Sequence, residues 1–304
     1  MLLDNERESE NIEDRRGGGL IKGIGIGSVL LALIGSYLTG MNPATLLGLM
    51  EQAAPVQQVS AHKPAANDKT AVFVSKILAE TEDTWGEVFA AKGKEYRKPK
   101  LVLFTGSTTT ACGNGAAAMG PFYCPLDSKI YIDLSFFSEL QNRFHAPGEF
   151  AQAYVLAHEV GHHVQNLLGI SAKVNAAKQR ASSKAEANAA SVKLELQADC
   201  YAGVWARRTD SQKHILEPGE IEQAIAAATA IGDDTLQKKA LGYTVPETFT
   251  HGSSGQRVAW FKRGMETGDP AQCNIFVAGG QKPGGPPKKS PPPPPPPKSS
   301  RNEF

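Results

Sequence analysis

The sequence predicts an α+β domain behind one N-terminal transmembrane helix. Short runs rich in β-branched and aromatic residues, Lys100–Phe104 and 129–137, come before a series of long helical patterns that starts after Pro147. Near the N-terminus, residues 23–50 contain no charged side chain. A small sheet followed by helices is typical of an α+β domain, and an uncharged apolar stretch of this length can cross a bilayer.

The transmembrane helix is expected at residues 23–42. Four basic residues precede it, and the next basic residue downstream is Lys63. The positive-inside rule then puts residues 1–22 in the cytoplasm and the rest of the chain outside it. A cleaved signal peptide is the alternative, but the long, acidic first segment and the lack of a clear cleavage site favour an anchor.

The remaining chain divides into a linker, a folded domain and a tail. Residues 43–69 are rich in Ala, Pro, Gln and Asn without a sustained period, which is typical of a linker. The folded domain is expected over residues 70–280. The tail, residues 281–304, contains seven successive prolines and is expected to be a disordered, solvated arm. A partner that binds proline-rich segments is the alternative for this tail.

Hydrophobic periodicity predicts the helices of the domain. Apolar residues recur at helical spacing from Val72 to Phe89, so a first helix is expected to end near Gly93. After the two predicted strands, further helices are expected over residues 149–168, 171–209 and 218–240.

Charge and cysteine content narrow the class of protein. The 32 Lys and Arg residues almost balance the 31 Asp and Glu residues, so nothing indicates a nucleic-acid partner. The four cysteines form no CxxC pair. Cys112 and Cys124 bracket a glycine-rich loop, which leaves Cys200 and Cys273 as a second pair, and two disulfides are predicted. Four buried free thiols remain the alternative.

A metal site is predicted by the stretch AHEVGHHVQ. His158 and His162 are four residues apart, so on a helix both imidazoles project from one face and can bind one metal ion. Glu159 has the position of the general base in an HExxH motif. The surrounding residues are apolar, an environment in which such polar groups are costly unless they are paired or metal-bound.

A second acidic pair supplies the missing ligand. Glu195 and Asp199 are again four residues apart within an apolar helical stretch, KLELQADCYAGVWA. A catalytic zinc ion keeps three protein ligands, so we assign Glu195 as the third ligand and Asp199 as the acceptor that orients one imidazole. The reverse assignment, with Asp199 as the ligand and Glu195 in support, remains open.

Several segments resemble the neutral zinc metallopeptidase family of YpfJ-like bacterial proteins. They are HEVGHHVQ, ELQADCYAGVWA, THGSSGQRVAWF and the segment ACGNGAAAMGPFYCPLDSKIYIDLSFF, and the similarity covers residues 70–276. The resemblance implies a membrane-anchored bacterial protein with a zincin-like peptidase domain. HExxH with a later ExxxD is also similar to membrane zinc proteases of the HtpX and CAAX-processing type, in which the Glu is the third ligand, and this implies Glu195.

The same proteases carry a histidine followed six residues later by an arginine, as do His251 and Arg257 here. This resemblance implies that His251 donates to the oxyanion and that Arg257 binds Asp199 or a substrate carbonyl. The alternative is that Thr250 and His251 cap a helix start and that Arg257 forms a surface ion pair. Unlike those proteases, the chain has one predicted span, so cleavage inside the bilayer is not expected.

The expected function is therefore zinc-dependent hydrolysis of peptide bonds in peptides or proteins, with Glu159 as the general base. The expected location is the bacterial inner membrane, with a single pass and the catalytic domain outside the cytoplasm. Two alternatives remain: a non-catalytic, membrane-tethered envelope adaptor, and a zinc amidase that acts on cell-wall crosslinks.

Overall fold

The computed structural model describes residues 1–17 and 62–276, which form an α+β fold. The predicted transmembrane helix at 23–42, the tail at 281–304 and most of the linker at 43–69 lie outside the described residues. Within the described ranges, no helix combines the length and the apolar character that a membrane span needs.

Within residues 1–17 and 62–276, six short strands form a four-stranded sheet and a separate hairpin. In chain order they are β1 Ile12–Asp14, β2 Lys100–Phe104, β3 Ser107–Thr110, β4 Gly113–Ala116, β5 Phe122–Cys124 and β6 Lys129–Asp133. The sheet has the order β1-β2-β6-β5, in which β5 is antiparallel to β6 and the other pairs are parallel. The antiparallel hairpin consists of β3 and β4.

Eight α-helices accompany the strands in the described part of the chain. They are α1 Lys69–Ala90, α2 Ser135–Asn142, α3 Glu149–Leu167, α4 Ile170–Arg180, α5 Lys184–Lys213, α6 Glu220–Ala230, α7 Asp233–Leu241 and α8 Ser254–Thr267. The first predicted helix and the predicted helix at 149–168 are thus confirmed, with ends within a few residues of the expected ones.

Side-chain alternation places the main core on one face of the sheet. Leu101 and Leu103 of β2 and Ile130 of β6 are fully buried in the main core, whereas Val102 and Tyr131 belong to a smaller cluster on the other face. Alternate residues of a strand point to opposite faces, so the sheet separates the helices from the hairpin side.

The expected strand at 129–137 is too long. Strand β6 ends at Asp133, whose carboxylate accepts a hydrogen bond from the backbone N–H of Ser135 at the start of α2. This local bond favours a helix start over further strand pairing. The apolar residues that follow therefore belong to a helix.

The two long helices expected after α3 are each divided in two. The stretch 171–209 is interrupted between α4 and α5, where Ser183 accepts a hydrogen bond from the backbone N–H of Glu186 and begins α5. The stretch 218–240 is interrupted at Gly232, before α7. Helix-capping residues override the alanine-rich pattern at these positions.

Glycines allow the helices around the site to approach closely. A Cβ atom at Gly161 of α3 would lie 3.0 Å from the Cα atom of Ala198 on α5. A Cβ atom at Gly264 of α8 would overlap the backbone oxygen of Cys200, and one at Gly203 of α5 would overlap that of Phe261. Helix α5 therefore crosses both α3 and α8 at backbone contact, which brings side chains from all three helices together.

Both predicted disulfides are present. Cys112 is bonded to Cys124, and Cys200 is bonded to Cys273, with Cα–Cα distances of 5.8 and 5.6 Å. The first joins the hairpin to β5. The second joins α5 to the short 3₁₀ helix at Pro270–Cys273.

The first seventeen residues belong to the same folded unit as the rest of the domain. Strand β1 pairs in parallel with β2, and Ile12 is buried in the main core. The carboxylate of buried Glu82 on α1 accepts hydrogen bonds from Ser9 and Asn11. The domain therefore includes residues 1–17, which belong to the segment 1–22 that was expected to be a separate cytoplasmic region.

This pairing bears on the expected membrane topology. Asp14 forms an antiparallel bridge with His62, so the chain leaves and re-enters the described fold at the same edge of the sheet. A single membrane crossing between these residues would put β1 and β2 on opposite sides of the bilayer. The expected cytoplasmic placement of residues 1–22, with the domain outside, is therefore incompatible with this fold.

Candidate metal centre

One face of α3 carries the two histidines of the predicted site. Tyr154, His158 and His162 follow each other at four-residue intervals, so they lie along one face of the helix. Helix α3 passes through the core, and His158 is only 6% exposed. The two imidazole rings meet edge to face with their centroids 4.8 Å apart.

Glu195 of α5 faces both imidazoles. Its two carboxylate oxygens lie 3.2 Å from Nε2 of His158 and 3.5 Å from Nε2 of His162. One ligand atom from each of the three residues lies within 4.8 Å of the others. Within residues 1–17 and 62–276, this is the group of three or more potential ligands that could hold a metal ion.

Asp199 lies on the other side of His158. Its Oδ1 atom is 2.8 Å from Nδ1 of His158 and accepts a 2.6 Å hydrogen bond from the hydroxyl of Tyr154. Arg257 of α8 donates to both oxygens of this carboxylate, at 2.9 Å each. The carboxylate of Asp199 thus already contacts Tyr154, His158 and Arg257. Glu195, not Asp199, is the carboxylate that faces the two Nε2 atoms.

Neighbouring charges raise the pKa of His158 and lower the pKa values of Asp199 and Glu195. Burial lowers the pKa of His158, but the adjacent Asp199 carboxylate outweighs this effect and raises it to about 9. Burial raises the pKa of Asp199, but the Arg257 guanidinium outweighs it and holds the pKa at about 2. The pKa of Glu195 lies well below its ordinary value because the two imidazoles outweigh its burial.

Glu159 lies beside the ligand group but outside it. Its side chain is on the same helix as the histidines, and the residue is 8% exposed. Burial raises the pKa of Glu159, whereas the positive imidazoles of His162 and His158 oppose this rise. A raised pKa gives a carboxylate a higher proton affinity, which is a property of a general base.

His251 lies on the loop that precedes α8. Its Nδ1 atom is 3.2 Å from Oδ1 of Asp233, and the backbone N–H of His251 donates to Oδ2 of the same carboxylate at 2.6 Å. The hydrogen bond to Asp233 raises the pKa of the solvent-exposed His251 more than partial desolvation of the ring lowers it, and the charge of Glu195 raises it further. Gly252, with φ +96°, packs this loop against α5, where an added Cβ atom would lie 3.2 Å from Val192 and 3.3 Å from Leu196.

Two residues of the candidate centre were not predicted from the sequence. Tyr154 donates to Asp199, and Gln165 places its Oε1 atom 2.9 Å from Nδ1 of His162. Tyr154 lies four residues before His158 and Gln165 lies three residues after His162, so helical spacing places each beside a histidine. The spacing alone does not show a role for these residues, because their other contacts are on the facing helix.

The donor set suits a zinc ion. Two imidazole Nε2 atoms and one carboxylate converge, while each Nδ1 atom contacts an acceptor behind it. Two histidines and one carboxylate, with room for a further ligand, are typical of catalytic zinc sites, and outer acceptors that orient the imidazoles are typical as well.

Comparison with known proteins agrees with this donor set. Residues 1–276 match a family model described as "Putative neutral zinc metallopeptidase". The chain is 50% identical to the YpfJ protein of Escherichia coli K12 over 287 residues, which cover 91% of this chain and 99% of that protein. It is 39% identical over 258 residues to Rv2575 of Mycobacterium tuberculosis and to Mb2605 of Mycobacterium bovis, covering 80% of this chain and 85% of each. No solved structure matches the chain.

Proposed function

Since the chain belongs to the neutral zinc metallopeptidase family, we propose that it hydrolyses peptide bonds at the centre formed by His158, His162 and Glu195. The observation that carries the proposal is the convergence of these three donors from two helices, with Glu159 beside them. Zinc, when bound there, supplies a Lewis acid that activates water and polarises a carbonyl.

Glu159 moves the proton in this proposal. Its carboxylate takes a proton from the attacking water and returns it to the amine that leaves when the peptide C–N bond breaks. The raised pKa of Glu159 supports both steps, because a carboxylate of higher proton affinity is a better base and its acid form can still protonate the amine. The burial of Glu159 also limits competing contact with bulk solvent.

His251 is proposed to bind the carbonyl oxygen as negative charge develops on it. The contact with Asp233 directs Nδ1 of the imidazole toward the start of α7, so Nε2 remains available to a substrate. The raised pKa of His251 favours the protonated ring, which is the stronger donor to an oxyanion. Arg257 acts differently, because its guanidinium is bound to Asp199 and so holds the carboxylate behind His158.

We also propose that the protein is attached to the bacterial inner membrane through the uncharged stretch at residues 23–50, with the domain outside the cytoplasm. Two disulfides in the described part of the chain support an oxidising compartment. Since β1 belongs to the domain, residues 1–17 are proposed to share its side of the membrane.

The test is cleavage of a degenerate peptide library by the full-length protein loaded with zinc, read by mass spectrometry. Glu159→Gln should keep the zinc and lower cleavage by at least about 100-fold, since a general base contributes this much or more. Glu222→Gln, at an exposed position on α6, is the matched control and should cleave like the wild type. Equal cleavage by the Glu159→Gln variant would refute the proposal, and zinc binding without cleavage of any peptide would favour an adaptor or an amidase.

A further inference from the structure

We propose that Gln165 is a positioning residue for the metal ligand His162, and that Gln197 and the Cys200–Cys273 disulfide hold Gln165 in its orientation. The inference rests on the proposed function to the extent that His162 binds the metal. It concerns a chain of hydrogen bonds that leads from the metal centre to the 3₁₀ helix at Pro270–Cys273.

Backbone carbonyl groups determine how each amide in this hydrogen-bond chain is oriented. The Nε2 atom of Gln165 is 2.7 Å from the backbone oxygen of Leu194, which can only accept a hydrogen bond. The amide nitrogen of Gln165 must therefore face Leu194, and its Oε1 atom must face His162. An oxygen acceptor 2.9 Å from Nδ1 requires that this nitrogen carries the proton.

This tautomer leaves the Nε2 lone pair of His162 free for a metal ion. Nε2 is the atom on the Glu195 side of the ring, 3.5 Å from Oε1 of that carboxylate. Gln165 is fully buried, so water does not compete for its contact with the imidazole. The amide thus sets both the tautomer and the ring orientation that zinc binding by His162 needs.

Gln197 is the next residue of the hydrogen-bond chain, and its amide is oriented by the same reasoning. Its Nε2 atom donates to the backbone oxygen of Cys273 at 3.0 Å, so its Oε1 atom accepts a 3.1 Å hydrogen bond from Gln165. Cys273 is joined to Cys200, which directly follows Asp199 on α5. The disulfide therefore holds the backbone oxygen of Cys273, the last acceptor of the hydrogen-bond chain, against α5, the helix that also carries Glu195.

Charge explains why an amide and not a carboxylate occupies position 165. The centre already contains the carboxylates of Glu159, Glu195 and Asp199 with one guanidinium, Arg257. A zinc ion adds two positive charges and brings this sum to zero. A fourth carboxylate would leave an uncompensated buried charge, and it would also face the Leu194 oxygen without a proton to donate.

The experiment measures zinc affinity of the full-length protein by competition with a chromogenic chelator. Gln165→Met, which preserves volume but removes the hydrogen bonds, should weaken zinc binding about 10- to 100-fold. Gln197→Met should weaken zinc binding less than Gln165→Met does. The double variant should bind zinc no more weakly than Gln165→Met alone, because both residues act through one hydrogen-bond chain. Gln152→Leu, on the same helix but only partly buried, is the matched control and should bind zinc like the wild type.

Two further readouts separate positioning from general stability. The visible absorption spectrum of the cobalt-loaded protein should change in Gln165→Met and not in Gln152→Leu, since only the first alters a ligand's orientation. The double variant Cys200→Ser with Cys273→Ser should show weakened zinc affinity at 25 °C even where circular dichroism shows that it is folded. Wild-type affinity and an unchanged cobalt spectrum in Gln165→Met would overturn the inference, whereas absence of peptide cleavage by the zinc-loaded wild type would overturn only the proposed function.

Discussion

The guanidinium of Arg257 binds both carboxylate oxygens of Asp199, with Nε and Nη2 each 2.9 Å from one oxygen. Both side chains are buried, and Tyr154 and His158 contact the same carboxylate. A helix far along the chain thus completes the surroundings of His158, the first histidine of the candidate centre. The ion pair matters because it holds Asp199 charged at the back of His158.

Arg257→Met should destabilise the protein by about 3–5 kcal/mol, because it leaves a buried carboxylate without its charged partner. Chemical denaturation of the metal-free protein measures this change in the free energy of unfolding. Lys262→Met, at an exposed position on the same helix, should change it by less than about 0.5 kcal/mol. Equal stability of the two variants would mean that the ion pair contributes nothing to the folded site.

Gly264→Ala should displace α8 from α5, because the added methyl group would overlap the backbone oxygen of Cys200. We expect a loss of roughly 1–3 kcal/mol or more in the free energy of unfolding, together with weaker zinc binding, as Arg257 moves away from Asp199. Gly255→Ala on the same helix meets no atom within 4 Å and should be neutral or slightly stabilising. A crystal structure of Gly264→Ala with unchanged α8 would contradict this account.

Asp233→Asn should lower the pKa of His251, because the hydrogen bond to Asp233 is the main cause of the raised value. The His251 imidazole of the variant then loses its proton at a lower pH. The pH at which activity declines on the alkaline side should therefore also be lower. An NMR titration of the His251 ring measures the pKa directly. Asp234→Asn is the control, since Asp234 binds Ser254 instead. If neither variant moves the titration, Asp233 does not set the charge of His251.

Residues 1–17 and the domain should lie on one side of the membrane. In intact cells, single cysteines at the exposed positions Glu8→Cys and Lys262→Cys should react alike with a membrane-impermeant thiol reagent. Lysed cells provide the control that both positions are reactive. Reaction at only one of them in intact cells would restore the single-pass topology and would require β1 to leave the sheet.

The sequence predicted the centre well where the information is local. Helical spacing alone placed His158 and His162 on one face, and their apolar surroundings singled out Glu195 as a further ligand, which the structure brings to the Nε2 atoms. Strand β2, the start of β6 and the cysteine pairs could be predicted for similar reasons, since alternation and spacing depend on few residues.

Features that depend on distant contacts could not be predicted. Strand β1 has only three residues, two of them acidic, and it is stabilised by pairing with β2 almost ninety residues later. The contact between Gln165 and His162 follows a helical spacing, but its direction depends on the Leu194 carbonyl of another helix. In both cases the sequence pattern is ordinary and the tertiary partner decides the role.

The most direct test of the zinc centre is elemental analysis of the purified full-length protein. We predict about one zinc ion per chain in the wild type and in Glu159→Gln, and little or none in His158→Ala, His162→Ala and Glu195→Ala, because three protein ligands hold a catalytic zinc ion. No zinc in the wild type after zinc addition, or full zinc in Glu195→Ala, would contradict the account.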